Sequence, residues 1–317
     1  MKKKFIKILT SCMIFSQIIG IHAYATTEFN SPNSKGFEIE NVSDLTYTET
    51  LEASHNKEVL AETYMNFKTG KISEEDLINE ATRLGFNSEI KTTIENISNL
   101  NEKINSKSRL TYDEKIQDKL NNTGGEPFSE IETYATSNIL PGLVQTSQSE
   151  SYYCGPATAS MIIADKRSTP GQYALATALG TTSSEGTPWR KNAAYPMATV
   201  LNKYLYTDWY IPYPAVSNDS TRLTNCVVYS IDSGYGIAAN VYEPVGGTYR
   251  LEGHPSDRNI EHWVAIDGYS SSGSTIHYAE PVYKAPSISW YKSVTNPYYN
   301  IANYKLSYII WERGLIY

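Results

Sequence analysis

Apolar positions change their spacing near residue 139. Upstream of it they recur at helical intervals. Leu60, Tyr64 and Phe67 fall at i, i+4 and i+7 and predict a helix over 55–68, stopped by Thr69-Gly70. Ser73, with Asp76 three residues on, reads as a capping-box start. Leu77, Ile78, Ala81 and Leu84 then give one face, and Gly85 closes the helix. Asn87-Ser88 open a third helix with Ile90, Ile94, Ile97, Leu100 and Ile104 in one stripe. Thr111 and Glu114 start a fourth, which runs through Ile116 and Leu120 to Gly124-Gly125. Residues 51–123 thus read as four short helices with narrow apolar stripes and charged outer faces. Such a unit buries little alone and gains by docking on another part of the chain.

From Ile139 the pattern is different. Cys154 to Ile163 is small and apolar, a buried helix. Residues 170–180 are partly helical, and 181–191 form a loop rich in Ser, Thr and Gly. Pro196 starts a helix with Met197, Val200, Leu201, Tyr204 and Leu205. The run 226–231 fits a helix or a strand equally. Residues 235–242 and 262–269 read as buried strands; Ser270 to Ser274 turns, and Thr275 to Ala279 pairs back. Residues 305–311 read as a last strand. Helices first and antiparallel strands afterwards predict an α+β fold.

Composition adds a compartment. Residues 1–25 combine Lys2-Lys3-Lys4, an apolar run from Phe5 to Ile21 and Ala23-Tyr24-Ala25. These are the parts of a secretory signal peptide, so the expectation is an exported, secreted protein. Leu9-Thr10-Ser11-Cys12 resembles a lipoprotein box, but the apolar run continues past it. No later run approaches the roughly 18 residues of a membrane span. Of 3 cysteines, only Cys154 and Cys226 lie beyond the leader, too few for a disulfide framework. Cys226 reads as a small core residue.

Charge divides the chain at the same place as the spacing. Residues 26–138 hold 21 acidic and 11 basic side chains, and 139–317 hold 13 and 12. Nothing is basic enough to track nucleic acid. The domain expectation is therefore a leader over 1–25, an acidic helical pro- or regulatory segment over 26–123, a linker over 124–138 and a main domain over 139–317. Gly124-Gly125 is a candidate cleavage point. The helical segment is an expected intramolecular partner of the main domain.

The candidate chemistry begins at Tyr153-Cys154-Gly155-Pro156. A thiol at a helix start feels the positive end of the helix dipole, which favours thiolate. A cysteine nucleophile needs a base, and the base an orienting group. His262 heads a strand, and the antiparallel return through Ser270–Ser274 brings Glu280 beside it. Asp267 is the alternative acid, but it lies an odd number of residues along the same strand and so faces the other way. Gln148, six residues before Cys154, is the candidate oxyanion donor, with Gln145 as a substitute. His254 and His277 lack metal-ligand spacing and read as surface-loop and strand residues. No cofactor or metal is expected.

The stretches Gln148…Tyr152-Tyr153-Cys154-Gly155-Pro156-Ala157, 236–241, His262-Trp263-Val264-Ala265-Ile266-Asp267-Gly268-Tyr269 and Tyr278-Ala279-Glu280-Pro281 resemble the bacteriocin-processing-peptidase-like family of papain-like cysteine peptidases. The resemblance covers roughly 140–285. It implies a papain-like fold, a peptide or protein substrate, Cys154 as nucleophile, His262 as base and Gln148 as oxyanion glutamine. Glu280 stands where that family usually has Asp. Two other readings stay open: an amidase or endopeptidase on cell-wall peptides, and a non-catalytic surface protein that retains the fold.

Overall fold

The computed structural model describes residues 47–102, 136–215 and 217–317. The leader, the expected fourth helix and Gly124-Gly125 lie outside them. Three helices come first: α1 (Tyr47–Lys68), α2 (Glu74–Leu84) and α3 (described over 87–102). The α2 cap is as expected: Ser73 Oγ accepts from Asp76 N, Asp76 returns the bond to Ser73 N, and Gly85 closes the helix at φ 89°. Helix α1 begins earlier than its apolar stripe suggests. Its added turns carry buried Ser54, and buried Lys57 follows within the expected span.

The larger part has five helices, α4 (Cys154–Ala164), α5 (Gln172–Leu179), α6 (Pro196–Leu205), α7 (Ser220–Asp232) and α8 (Asn303–Ile309). Its seven strands are β1 (Asn138–Ile139), β2 (Pro212–Pro214), β3 (Ile237–Glu243), β4 (Ile260–Ser270), β5 (Thr275–Ala279), β6 (Tyr298–Ala302) and β7 (Gly314–Ile316). They form one antiparallel sheet in the order β2-β7-β3-β4-β5-β6, with β1 also paired to β4. Helix α4, flanked by α5 and α6, packs on β3 and β4; α7 and α8 pack on the sheet as well. This is the α+β, papain-like arrangement, with a buried helix laid on an antiparallel sheet.

Two stretches resolve differently from the sequence reading. The ambiguous 226–231 run is helical. Asp219 caps α7 by accepting from Thr221 N and Arg222 N, and Leu223, Val227 and Ile231 repeat at four-residue spacing. The expected last strand over 305–311 is instead α8 and its C-terminal turn. Its Tyr and Ile content suggests a strand, but Leu306, Ile309 and Ile310 sit at i, i+3 and i+4 and all are buried. The chain's final strand follows, as β7.

Helix α1 packs on α7, and the described residues belong to one compact unit. Leu60, Ala61, Tyr64 and Phe67 of α1 are buried. Polar anchors accompany them. Lys57 Nζ donates to the Trp209 and Tyr317 carbonyls at 2.5 and 2.6 Å and lies 3.9 Å over the Trp209 ring. Burial pushes that ammonium well below its ordinary range. Lys68 Nζ meets Asp232 Oδ2 at 2.5 Å and Tyr269 OH at 2.6 Å.

Candidate active site

Cys154 is the first residue of α4, with Tyr153 as N-cap and no side-chain hydrogen bond at the cap. The first-turn N–H groups therefore have no partner within the helix. The thiol is largely shielded, at 8% exposure, yet it borders an open cleft of about 580 Å³ shared with Gln148, Tyr152, Glu185, His262 and Trp290. A second recess of about 280 Å³, between Gly186, Trp189, Asn240 and Trp263, meets the first at Cys154.

Gly155 is glycine for a steric reason. A Cβ there would lie 2.2 Å from Thr187 Oγ1 and 2.5 Å from its Cβ. Without it, the 181–191 loop rests against the start of α4. Thr187 O also accepts from Trp263 Nε1 at 3.0 Å, which ties the loop to β4.

His262 is the third residue of β4, and Glu280 directly follows β5. The β4–β5 hairpin pairs Ala265 with Ala279, so the acid returns to the histidine as its antiparallel geometry predicts. His262 Nε2 donates to Glu280 Oε1 at 2.8 Å, and Val282 N donates to the same oxygen at 2.9 Å. The Cys154 thiol and the His262 ring line the same cleft, close enough for the thiol to favour a charged imidazole. With Nε2 occupied by Glu280, Nδ1 is the nitrogen left for sulfur.

Burial opposes a charged His262, but the Glu280 charge, the nearby Cys154 thiol and the hydrogen bond to Glu280 outweigh it and hold the imidazole well above its ordinary range. For Glu280, burial alone would raise the carboxyl. The His262 charge, the His254 ring 3.4 Å away and the hydrogen bond from His262 instead hold it well below the usual carboxylate range.

The other sequence candidates fall into place around this row. Gln148 is buried and lines the cleft; its Nε2 donates to Glu150 O at 2.8 Å, and its Oε1 has no partner among the described residues. One Nε2 hydrogen remains available to the cleft. Gln145 Nε2 donates to the Glu280 carbonyl at 2.9 Å, bracing the acid's backbone. Asp267 is not beside His262. A register shift lies between Ile266 and Gly268, and Asp267 Oδ1 meets His277 Nδ1 at 2.6 Å. Cys226 is buried in α7, where burial pushes its thiol up to about 12.

His254 requires correction. It is no surface-loop residue but is 8% exposed, with its Nδ1 2.7 Å from Glu243 Oε2. The sequence carried one weak signal: a glutamate closing an otherwise apolar strand, and a histidine between Gly253 and Pro255 eight residues before His262. Donor atoms of His254, His262 and Glu280 lie within 4.8 Å of one another, as an ion site requires. The 2.8 Å His262–Glu280 separation, however, is a direct hydrogen bond with no space for an ion between them.

A thiol at a helix start, an imidazole and a carboxylate thus come together beside the sheet. The chain belongs to the Peptidase_C39 like family, whose sequence model matches residues 137–309. A solved structure from Bacillus anthracis, assigned as a C39-like peptidase, is 12% identical; the match covers 57% of this chain and 96% of that one, with a TM-score of 0.35. No curated protein matches the sequence. No described helix is long and apolar enough to cross a membrane.

Proposed function

We propose that the protein is an exported thiol peptidase in which Cys154, His262 and Glu280 hydrolyse a peptide bond. The observation that supports this is that Cys154 and His262 line one cleft, with His262 held by a buried hydrogen bond to Glu280. His262 takes the thiol proton, and Glu280 stabilises the resulting imidazolium. The thiolate sulfur attacks the substrate carbonyl carbon, and the C=O electron pair moves to oxygen. Cys154 N–H and the second Gln148 Nε2 hydrogen hold that oxyanion. Collapse breaks the C–N bond as His262 protonates the leaving amine. Water then attacks the thioester; His262 takes its proton and returns it to sulfur as the acid departs.

The test is twofold. An iodoacetamide-type probe is expected to label Cys154 at neutral pH and to spare buried Cys226. Cys154→Ala is expected to lower peptide hydrolysis by on the order of 10⁴-fold or more with the fold intact. A folded Cys154→Ala protein that cleaves as well as the parent overturns the reading.

The helical segment is, on this reading, a retained partner rather than a cover for the cleft. No described residue of α1, α2 or α3 lines the cleft, and α1 is anchored by buried Lys68 on Asp232 of α7 and by buried Lys57 on the Trp209 and Tyr317 carbonyls. Truncation to residues 136–317 is expected to destabilise the protein without raising its activity. A stable truncated chain with higher activity overturns this part and restores the precursor expectation.

A further inference from the structure

Behind Glu280 the row of buried charges continues. Glu243, the last residue of β3, is fully buried. Its Oε1 accepts from Leu251 N at 2.5 Å and its Oε2 faces His254 Nδ1 at 2.7 Å. On the far side of the ring, His254 Nε2 lies 3.4 Å from Glu280 Oε2. At that distance the contact is an ion pair rather than a well-formed hydrogen bond, and neither atom has another hydrogen-bond partner among the described residues. Oxygen Oε1 of the same carboxylate is the one on His262.

A carboxylate stands at each nitrogen of the His254 ring. A neutral imidazole would turn a lone pair toward one of them, so the arrangement demands a proton on both nitrogens. The row then alternates in sign: Glu243 negative, His254 positive, Glu280 negative, His262 positive when Cys154 is thiolate. Glutamate has one more rotatable bond than aspartate, and so more ways to swing off His262. Fixing its second oxygen removes that freedom.

The loop that presents His254 is itself built for the purpose. Gly253 has φ +79°, and a Cβ there would lie 2.6 Å from Ser293 O. Ser293 Oγ donates to Gly253 O at 2.6 Å, and Trp290 packs edge-on to the His254 ring at 4.8 Å. His254 does not line the cleft.

We propose that His254, oriented by Glu243, is a positioning residue that holds Oε2 of Glu280 and thereby keeps Oε1 on His262. This rests on the thiol-peptidase reading. The titratable and charged groups facing His254 are Glu243 from β3, His262 from β4, Tyr278 from β5, Glu280 beyond it, and Arg250, whose Nη1 lies 3.7 Å from Glu243 Oε2.

The test uses the full chain carrying Glu243→Gln, with His254→Gln as the second variant. Glu243→Gln keeps shape but removes the charge that holds the second proton on His254, which then titrates nearer the ordinary value of about 6.5. Its kcat is expected to match the parent at acid pH and to fall about tenfold as pH rises through neutrality. KM is expected to stay within about twofold. His254→Gln is expected to show the lowered kcat at every pH. Nitrogen-15 NMR of histidine-labelled parent reads the same claim without activity: His254 is expected to carry both ring protons through neutral pH and to lose one in Glu243→Gln.

An active parent whose pH profile superimposes on that of Glu243→Gln overturns the positioning role alone. So does a neutral His254 in the parent, or stoichiometric zinc that His254→Gln removes. A parent whose Cys154 neither labels nor hydrolyses overturns the peptidase reading beneath it. The NMR measurement decides the matter even where neither variant folds.

Discussion

The molecule holds two buried clusters of charge, and they are finished differently. Where α1 docks, Asp232 is saturated: Oδ2 accepts from Tyr64 OH at 2.8 Å and Lys68 Nζ at 2.5 Å, and Oδ1 from Tyr269 OH at 2.8 Å and Asn138 Nδ2 at 2.9 Å. Around His262, Glu280 Oε2, His254 Nε2 and Gln148 Oε1 have no hydrogen-bond partner among the described residues. Each unsatisfied buried polar atom costs about 1–3 kcal/mol, so a fold tolerates it where something else is gained. A closed network fastens two parts together. An open one, on the proposed reading, leaves hydrogen-bonding capacity for chemistry, although both clusters are equally buried.

The comparison can be broken at either end. The largest effect on stability is expected from Asp232→Ala, which strands the Lys68 ammonium in the interior. A loss of about 3–5 kcal/mol in denaturant unfolding is expected, with the folded fraction retaining its kcat. A mild loss below about 1 kcal/mol would show that the network is not closed in solution.

Glu280→Gln is expected to do the reverse. Peptide hydrolysis should fall on the order of 10²-fold or more, because His262 loses the charge that supports its imidazolium. Unchanged turnover would remove Glu280 from the row and revive the search for another acid.

A smaller, pH-dependent effect sharpens the contrast. His262 is raised in the folded state, so its contribution to stability is complete below about pH 6.5 and is lost as pH rises through its folded value. Glu280 is lowered, so its contribution is complete above about pH 4.3 and is lost as pH falls through its folded value. The stability difference between parent and Glu280→Gln is therefore expected to peak between about pH 4.3 and 6.5. Denaturant melts across that range would check it; a flat difference would deny the coupling.

The smallest effect is expected at the periphery of the docking face. Thr93 Oγ1 and Ser233 Oγ lie 2.7 Å apart and are buried. Thr93→Val is expected to cost about 1 kcal/mol in unfolding, since Ser233 Oγ still donates to Tyr229 O. A larger loss would mean that the contact is coupled to Asp232, next to Ser233 in sequence.

Much of this was legible in the chain because the signals were local. Ser73 and Asp76 mark a helix start, the hairpin from His262 to Glu280 follows from its turn and period, and Pro156 places Cys154 at a helix N-terminus. What escaped depends on contacts distant in sequence. The side chains on α8 fit strand propensity until the packing of Leu306, Ile309 and Ile310 decides for a helix. His254 is polar, between Gly253 and Pro255, with every local mark of a surface turn; only its burial beside Glu243 and Glu280 removes it from that class. The saturation of Asp232 was likewise invisible, because its four partners come from Tyr64, Lys68, Asn138 and Tyr269, spread across 206 positions. Burial pattern is encoded in periodicity, but the identity of a buried polar partner is not.

The contact between Gly155 and Thr187 has a further consequence for how such a cleft diversifies. Thr187 is pinned to the start of α4 on one side and to Trp263 on the other. The tip of its loop, closed by the Thr182–Gly186 bridge, hangs free of both and carries exposed Ser184 and Glu185 over the cleft. Substitutions in that tip can reshape the cleft wall while the geometry at sulfur stays untouched. Position 155 pays for this latitude by admitting no side chain at all.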